Sequence, residues 1–299
     1  MNERLDLAST SSFSSRLSSR GPDTPESMVF ARRLNVVVTG GSSGIGKAIV
    51  EEFAREGHRV LFTYLRNLDG VAALKSKYVH VTAVRLDQGD EKSVSEFVAE
   101  TKVWLEDAEV PHVDVIINNA ALGSATVDSY CGEGATEFEK DTALMRVNSL
   151  GPLWVSRGLI PLRKQEERTV VVFVGSVGGG SAAVFPEYHA ADLMSKAAVA
   201  YLSKHLAADN VHSNVDIFCI SPGATETEMF QKSTLSQLDD PDSFIAGMPK
   251  GVLISPTHVA ENIFYLSTSP ASKMFHGAVI DASMGLAVRP GLQTESRRC

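Results

Sequence analysis

Residues 36–50 read VVVTGGSSGIGKAIV, a β-branched run that breaks at glycine and passes at once into helix-forming residues. A short apolar run bounded by glycine reads as a buried strand. The stretch GKAIVEEFAREGH that follows has helical period and a glycine stop. This unit constrains the fold more than any other part of the chain. Thr39, Gly40, Gly44 and Gly46 fall in the turn between strand and helix. Glycines there let the backbone approach a pyrophosphate, and the helix N-terminus faces that charge. Glycine-rich turns are common by themselves; the strand–turn–helix context is what favours a nucleotide.

The pattern then repeats along the chain. RVLFTYL, VHVTAVRLD, VDVIINNA, RTVVVFVGS, NVDIFCISPG and GAVIDASMG read as further strands. Between them lie the amphipathic EKSVSEFVAETKVWLED, a long helical stretch over 137–163, and a helix beginning near Pro186 in PEYHAADLMSKAAVAYL. Strands alternating with helices predict an α/β domain: one Rossmann-like, doubly wound parallel sheet with helices on both faces, built from right-handed crossovers. The domain is expected over 34–290. It is flanked by a Ser-rich, disordered tail over 1–33 and a C-terminal tail over 291–299.

Composition narrows the partners. The net charge is −8 with no basic stripe, which argues against nucleic acid. The cysteines, Cys131, Cys219 and Cys299, have neither pairing nor metal-ligand spacing, so a reduced, cytoplasmic chain without a metal is expected. No apolar run approaches the ~20 residues of a membrane span. The Ser- and Arg-rich start resembles a mitochondrial presequence in composition, but Glu3 and Asp6 count against one; Met28 is a second candidate start.

The end of the second strand bears on the cofactor. An acid there would bind the 2′-hydroxyl of NAD. LFTYLRN has none and carries Arg66, two residues beyond Tyr64, where an arginine pairs with a 2′-phosphate. NADP(H) is therefore expected.

The spacing T-G-x-x-x-G-x-G resembles that of the short-chain dehydrogenase/reductase family. So, in order, do NNAA (118–121), Asn148, Ser176, the lysine of SKAAVAYL and SPGATET after the sixth strand; the resemblance runs from 34 to about 286. It implies cofactor contacts from Thr39, Gly40, Ser42, Ser43, Gly44, Ile45 and Gly46. It puts Asp87 beside the adenine and Asn118 and Ala120 on the ribose side. Pro222, Gly223, Thr225 and Thr227 follow, with Thr227 near the carboxamide. It also implies a homodimer or homotetramer paired through the helices of Asn148 and Lys196.

The family reduces carbonyls with Ser, Tyr, Lys and Asn. Its lysine falls on Lys196, and four residues earlier, where the tyrosine belongs, stands Asp192. Tyr188, a further turn back, could donate the proton instead. Alternatively the chain only binds nucleotide, as a regulatory protein. In the third reading Asp192 serves different chemistry. An ionised aspartate is a poor proton donor at neutral pH, but an iminium ion needs no proton, and a carboxylate would hold it at the nicotinamide. Asp192 and Lys196, with Arg157 in the preceding helix, resemble the fungal reductase/Diels–Alderases of malbrancheamide- and paraherquamide-type indole alkaloid pathways. That resemblance implies NADPH reduction of a cyclic iminium followed by a stereocontrolled intramolecular [4+2] cycloaddition. Asp192 would steady the cation, Arg157 orient Asp192, and Lys196 hold NADPH; Ser176 and Asn148 are retained from the parent family. A Pictet–Spenglerase of citrinadin-like pathways is a near neighbour. The segments 178–188 and 227–254 would flank the site, the second supplying Met229, Phe230, Leu235, Phe244, Ile245 and Met248 as an apolar lid.

Overall fold

Among the described residues the β-branched runs form seven strands: β1 (Asn35–Val38), β2 (Arg59–Tyr64), β3 (Val81–Arg85), β4 (Val115–Asn118), β5 (Thr169–Val174), β6 (Val215–Pro222) and β7 (Val279–Ala282). In this computed structural model, which describes residues 32–181 and 188–288, they pair in the order 3-2-1-4-5-6-7, every pair parallel. The chain divides into Met1–Arg32 and Arg33–Cys299, and this sheet belongs to the second unit. Residues 1–31 of the expected N-terminal tail (1–33), the expected C-terminal tail over 291–299, and Pro186 as a helix start lie outside the described residues.

Among the described residues ten α-helices connect the strands: α1 (Gly44–Arg55), α2 (Leu68–Lys77), α3 (Glu91–Glu106), α4 (Val127–Cys131), α5 (Glu137–Met145), α6 (Gly151–Leu159), α7 (Ala190–Asp209), α8 (Glu228–Ser233), α9 (Pro241–Ala246) and α10 (Pro256–Thr268). Both sheet faces are covered, as the continuous apolar strands require. Val36 and Val38 of β1 pack in one layer with Ile49 and Phe53 of α1 and Ile263 of α10. Val37 packs in the other with Phe97 of α3, Val155 of α6 and Val199 of α7. Alternation along a strand thus feeds two cores at once. Among the described residues no helix is long and apolar enough to cross a membrane.

One expectation needs revision. The helical stretch over 137–163 is not one regular helix. A π-helical segment, Arg146–Leu150, joins α5 to α6, and Ile160–Leu162 forms a 3-10 turn. Asn148 lies in the π-helical segment.

Candidate active site

Sheet order reverses between β1 and β4, and parallel sheets bind ligands outside their strand ends at such a switch point. A cavity of about 540 Å3 opens there. Its floor is the turn after β1. Gly40 has φ +67° and Gly44 φ +52°, in the left-handed region. A Cβ on Gly46 would lie 2.1 Å from the Gly40 carbonyl oxygen, so only glycine lets the turn close against α1. Ser43, the N-cap of α1, makes no side-chain capping bond, and the first turn carries no acid. The positive end of α1 is therefore left to whatever enters the cavity. This cradle fits the diphosphate of a dinucleotide.

Gly40, Ser42, Ser43, Gly44, Ile45, Gly46, Arg66, Asp87, Ala120, Pro222, Gly223, Thr225 and Thr227 all line the cavity. Arg66 is exposed and donates from Nη1 to the Ser129 carbonyl at 2.6 Å. Both oxygens of Asp87 accept from the Tyr130 hydroxyl, at 2.9 and 3.1 Å. Burial, and then that bond, push the Tyr130 phenol well above its ordinary range.

Two residues expected at the cofactor stand back from the cavity. Thr39 is completely buried, and its Oγ1 accepts the main-chain N–H groups of Asn119 and Ala120, both at 3.0 Å. It pins β1 to the end of β4. Asn118 is buried, and its Nδ2 donates to Ser156 Oγ of α6 at 3.1 Å. Asn119, which sequence reasoning missed, lines the cavity and donates to the carbonyls of Thr39 and Gly40 at 3.0 and 3.2 Å. Gln88 also lines the wall, with Nε2 held by the carbonyls of Ala120 and Val147 and Oε1 without a hydrogen bond among the described residues.

At the opposite end Ser176, Asp192 and Lys196 line the cavity together. A Cβ on Gly179 would lie 2.6 Å from the Lys196 carbonyl carbon, so the turn after β5 approaches α7 at the lysine as closely as glycine allows. Burial pushes the Lys196 ammonium below the usual lysine range, against the pull of Asp192. Asp192 is 5% exposed. Its Oδ2 accepts two bonds from Ser124, from N–H and from Oγ–H, each at 2.9 Å. Ser124 was not anticipated; nothing in ALGSAT marks it without the fold.

Asn148 is 2% exposed and does not line the cavity. Its Oδ1 accepts Leu122 N–H at 2.7 Å, and its Nδ2 donates to the Leu122 carbonyl at 2.9 Å and to Ser195 Oγ at 3.0 Å. Arg157 is not brought to the site. It is exposed on α6 and lines a separate groove with Glu91, Val98 and Trp154. Its position nine residues from Asn148 turns it toward α3. Tyr188 lines the cavity but precedes α7, so it does not share a helix face with Lys196; its hydroxyl meets Ser233 Oγ and Thr234 Oγ1. Of the expected lid, Met229 and Phe230 reach the cavity. Leu235, Phe244, Ile245 and Met248 pack among themselves and with Leu286 instead.

Fold and cavity together define a doubly wound domain with a dinucleotide cradle at one end and an acid–lysine pair at the other. Residues 34–238 match the short-chain dehydrogenase family, and the chain belongs to it, as an NAD(P)-dependent oxidoreductase. It is 28% identical to mouse (Mus musculus) L-fucose dehydrogenase over 78% of this chain and 81% of that one. It is 29% identical to 2-(R)-hydroxypropyl-CoM dehydrogenase of Xanthobacter autotrophicus, over 82% and 95%. Among solved structures, a dehydrogenase/reductase from Sinorhizobium meliloti superposes with a TM-score of 0.70 at 26% identity, over 84% of this chain and 94% of that one. A Pseudomonas aeruginosa RhlG/NADP active-site complex does so at 0.73 and 24%, over 86% and 97%, and shares the fold.

Proposed function

We propose that this chain is an NADPH-dependent reductase of a cyclic iminium, a prenylated dipeptide-derived indole alkaloid intermediate. The observation that carries the proposal is the buried carboxylate of Asp192 on the cavity wall, one helical turn before Lys196. Arg66 at the end of β2 supports the 2′-phosphate, and no acid competes with it in LFTYLRN. The nicotinamide of NADPH, when bound, supplies hydride to the carbon of the C=N bond.

The chain's own residues do the rest. The cradle of Gly40–Gly46 and α1 would hold the diphosphate, and Lys196 would hold the ribose of the nicotinamide half. Asp192 attracts the iminium nitrogen and orients the carbon. As the bond becomes a neutral amine no proton is required, so no tyrosine is required either. A carboxylate in a walled cavity acts more strongly on a cation than it would in water.

The resemblance to fungal reductase/Diels–Alderases extends the proposal to a [4+2] cyclisation in the same cavity. Met229 and Phe230 give that cavity an apolar wall against which a prenyl chain folds.

The test is NADPH oxidation by a prenylated tryptophan–proline cyclic iminium under anaerobic conditions, with chiral analysis of the product. Stoichiometric oxidation and one enantiomer of the bridged adduct are expected. A racemic adduct would remove the cyclase and leave the reductase. Asp192→Ala is expected to lose at least a hundredfold in turnover with NADPH affinity nearly intact. Retained turnover in that variant would sink the mechanism.

A further inference from the structure

Asp192 lines the cavity, and among the described residues only one of its two oxygens accepts hydrogen bonds. A carboxylate has about four lone-pair sites on its two oxygens. At Oδ2 two are taken, by the main-chain N–H and the hydroxyl of Ser124. Oδ1 accepts no hydrogen bond among the described residues. Ser124 is itself fixed. His189 N–H donates to its Oγ at 3.1 Å. The loop that carries it is clasped by Thr126, whose Oγ1 accepts from Gly123 N–H at 2.8 Å. One residue earlier Asn148 grips both main-chain groups of Leu122. Asn148 also reaches α7: its Nδ2 donates to Ser195 Oγ, which donates to the Asp192 carbonyl at 2.6 Å. The loop and the helix are thus tied to one amide, and the carboxylate cannot turn without breaking that frame.

We infer that Ser124 is a positioning residue that makes Asp192 a one-oxygen acceptor, so the site takes cations that need a single acceptor, an iminium or a ring ammonium, and rejects amidinium and guanidinium groups. The planar fork of an amidinium presents two parallel N–H donors and pairs best with both oxygens of a carboxylate. Here its second N–H meets an oxygen already filled. This inference rests on the reading of Asp192 as a cation anchor and adds to it the class of cation.

The experiment measures binding by calorimetry to the NADP+-loaded full chain, so it does not depend on turnover. The probes are 1,2,3,4-tetrahydroisoquinolinium and 1-amino-3,4-dihydroisoquinolinium, a ring ammonium and a cyclic amidinium on one skeleton. The wild-type protein is expected to prefer the ammonium. Ser124→Ala removes the hydroxyl and opens one site on Oδ2, so the ratio of the two dissociation constants is expected to move about tenfold toward the amidinium. Ser124→Thr keeps the hydroxyl and is expected to restore the wild-type ratio, which a merely structural role would not predict. A wild-type preference for the amidinium, or an unchanged ratio in Ser124→Ala, overturns the inference while leaving the cation anchor standing. Asp192→Asn separates the two ideas: it is expected to weaken both probes, and binding that survives it overturns the anchor itself.

Discussion

The Tyr188 hydroxyl lies 3.1 Å from Ser233 Oγ and 2.7 Å from Thr234 Oγ1, so the tyrosine nearest the acid–lysine pair in sequence is tethered to the end of α8. Tyr188→Phe is therefore expected to keep turnover within about threefold; a proton donor would lose roughly a hundredfold or more. Steady-state NADPH oxidation checks this. Arg66 makes the opposite case. It is exposed, its Nη1 donates to the Ser129 carbonyl, and it lines the cavity beside Ser42 and Asn67. Arg66→Ala is expected to weaken NADPH by about ten- to a hundredfold and to leave NADH unchanged, the size of a charge-assisted hydrogen bond. Fluorescence titration of both cofactors reads it. At this scale the sequence was legible where a residue type had a single physical use, as with the glycines and Lys196. It was not legible at Asn118 and Asn119. Both faces of β4 are buried, with Ile117 in one core and Ile116 in the other, so hydrophobic alternation carries no sign of which asparagine faces the cavity.

The turn between β1 and α1 makes its own prediction at the scale of an element. In Gly46→Ala the new methyl would sit 2.1 Å from the Gly40 oxygen and 2.4 Å from Asn119 Nδ2. The turn must open by moving backbone, because the first of these neighbours is not a flexible side-chain end. NADPH affinity is expected to fall at least tenfold, and stability by about 1–3 kcal/mol, as for other overpacked sites. A titration and a urea melt measure the two effects separately. The strand–helix alternation that announced this turn was readable because each β-branched run is short and ends at a glycine or polar break. The break between α5 and α6 was legible only in part. RVNSL is followed at once by Gly151 and Pro152, and Pro152 has no N–H to give the Asn148 carbonyl, but the form of the π-helical turn depends on tertiary bonds of Asn148 with Leu122 and Ser195. The segment 227–254 misled for a related reason. Its apolar residues were legible as a cluster, but a cluster that packs on itself and one that lines a cavity have the same composition. Leu235, Phe244, Ile245 and Met248 do the former.

Across the whole molecule, chemistry gathers at the carboxyl ends of the strands, and stability concerns collect at the other end. His58 stands just before β2, 2% exposed, with its ring 5.9 Å from Phe53 and 6.0 Å from Phe264. Its Nδ1 accepts the Leu34 N–H at 3.2 Å, so it ties the entry of β1 to the exit of α1 and to α10. Burial pushes its pKa down to about 4. In the unfolded chain an imidazole titrates near 6.5. Between those values the unfolded state binds a proton that the native state refuses, so stability rises with pH across the window and is lost as pH falls from 6.5 toward 4. The difference corresponds to about 3 kcal/mol over the whole window. Glu52 works the other way. Burial raises its carboxyl pKa although Arg55 opposes the shift, so its contribution favours the native state as pH falls. The net slope of the wild-type protein therefore mixes the two, and a variant is needed to separate them. His58→Asn keeps an acceptor for Leu34 and removes the titration. Urea midpoints measured from pH 4 to pH 8 are expected to fall more steeply for the wild-type protein than for the variant below pH 6.5, with the gap between the curves constant above pH 7. Parallel curves across the whole range would mean that His58 binds its proton equally well in the native and unfolded states, and that the packing of Phe53 and Phe264 around it tolerates a charge.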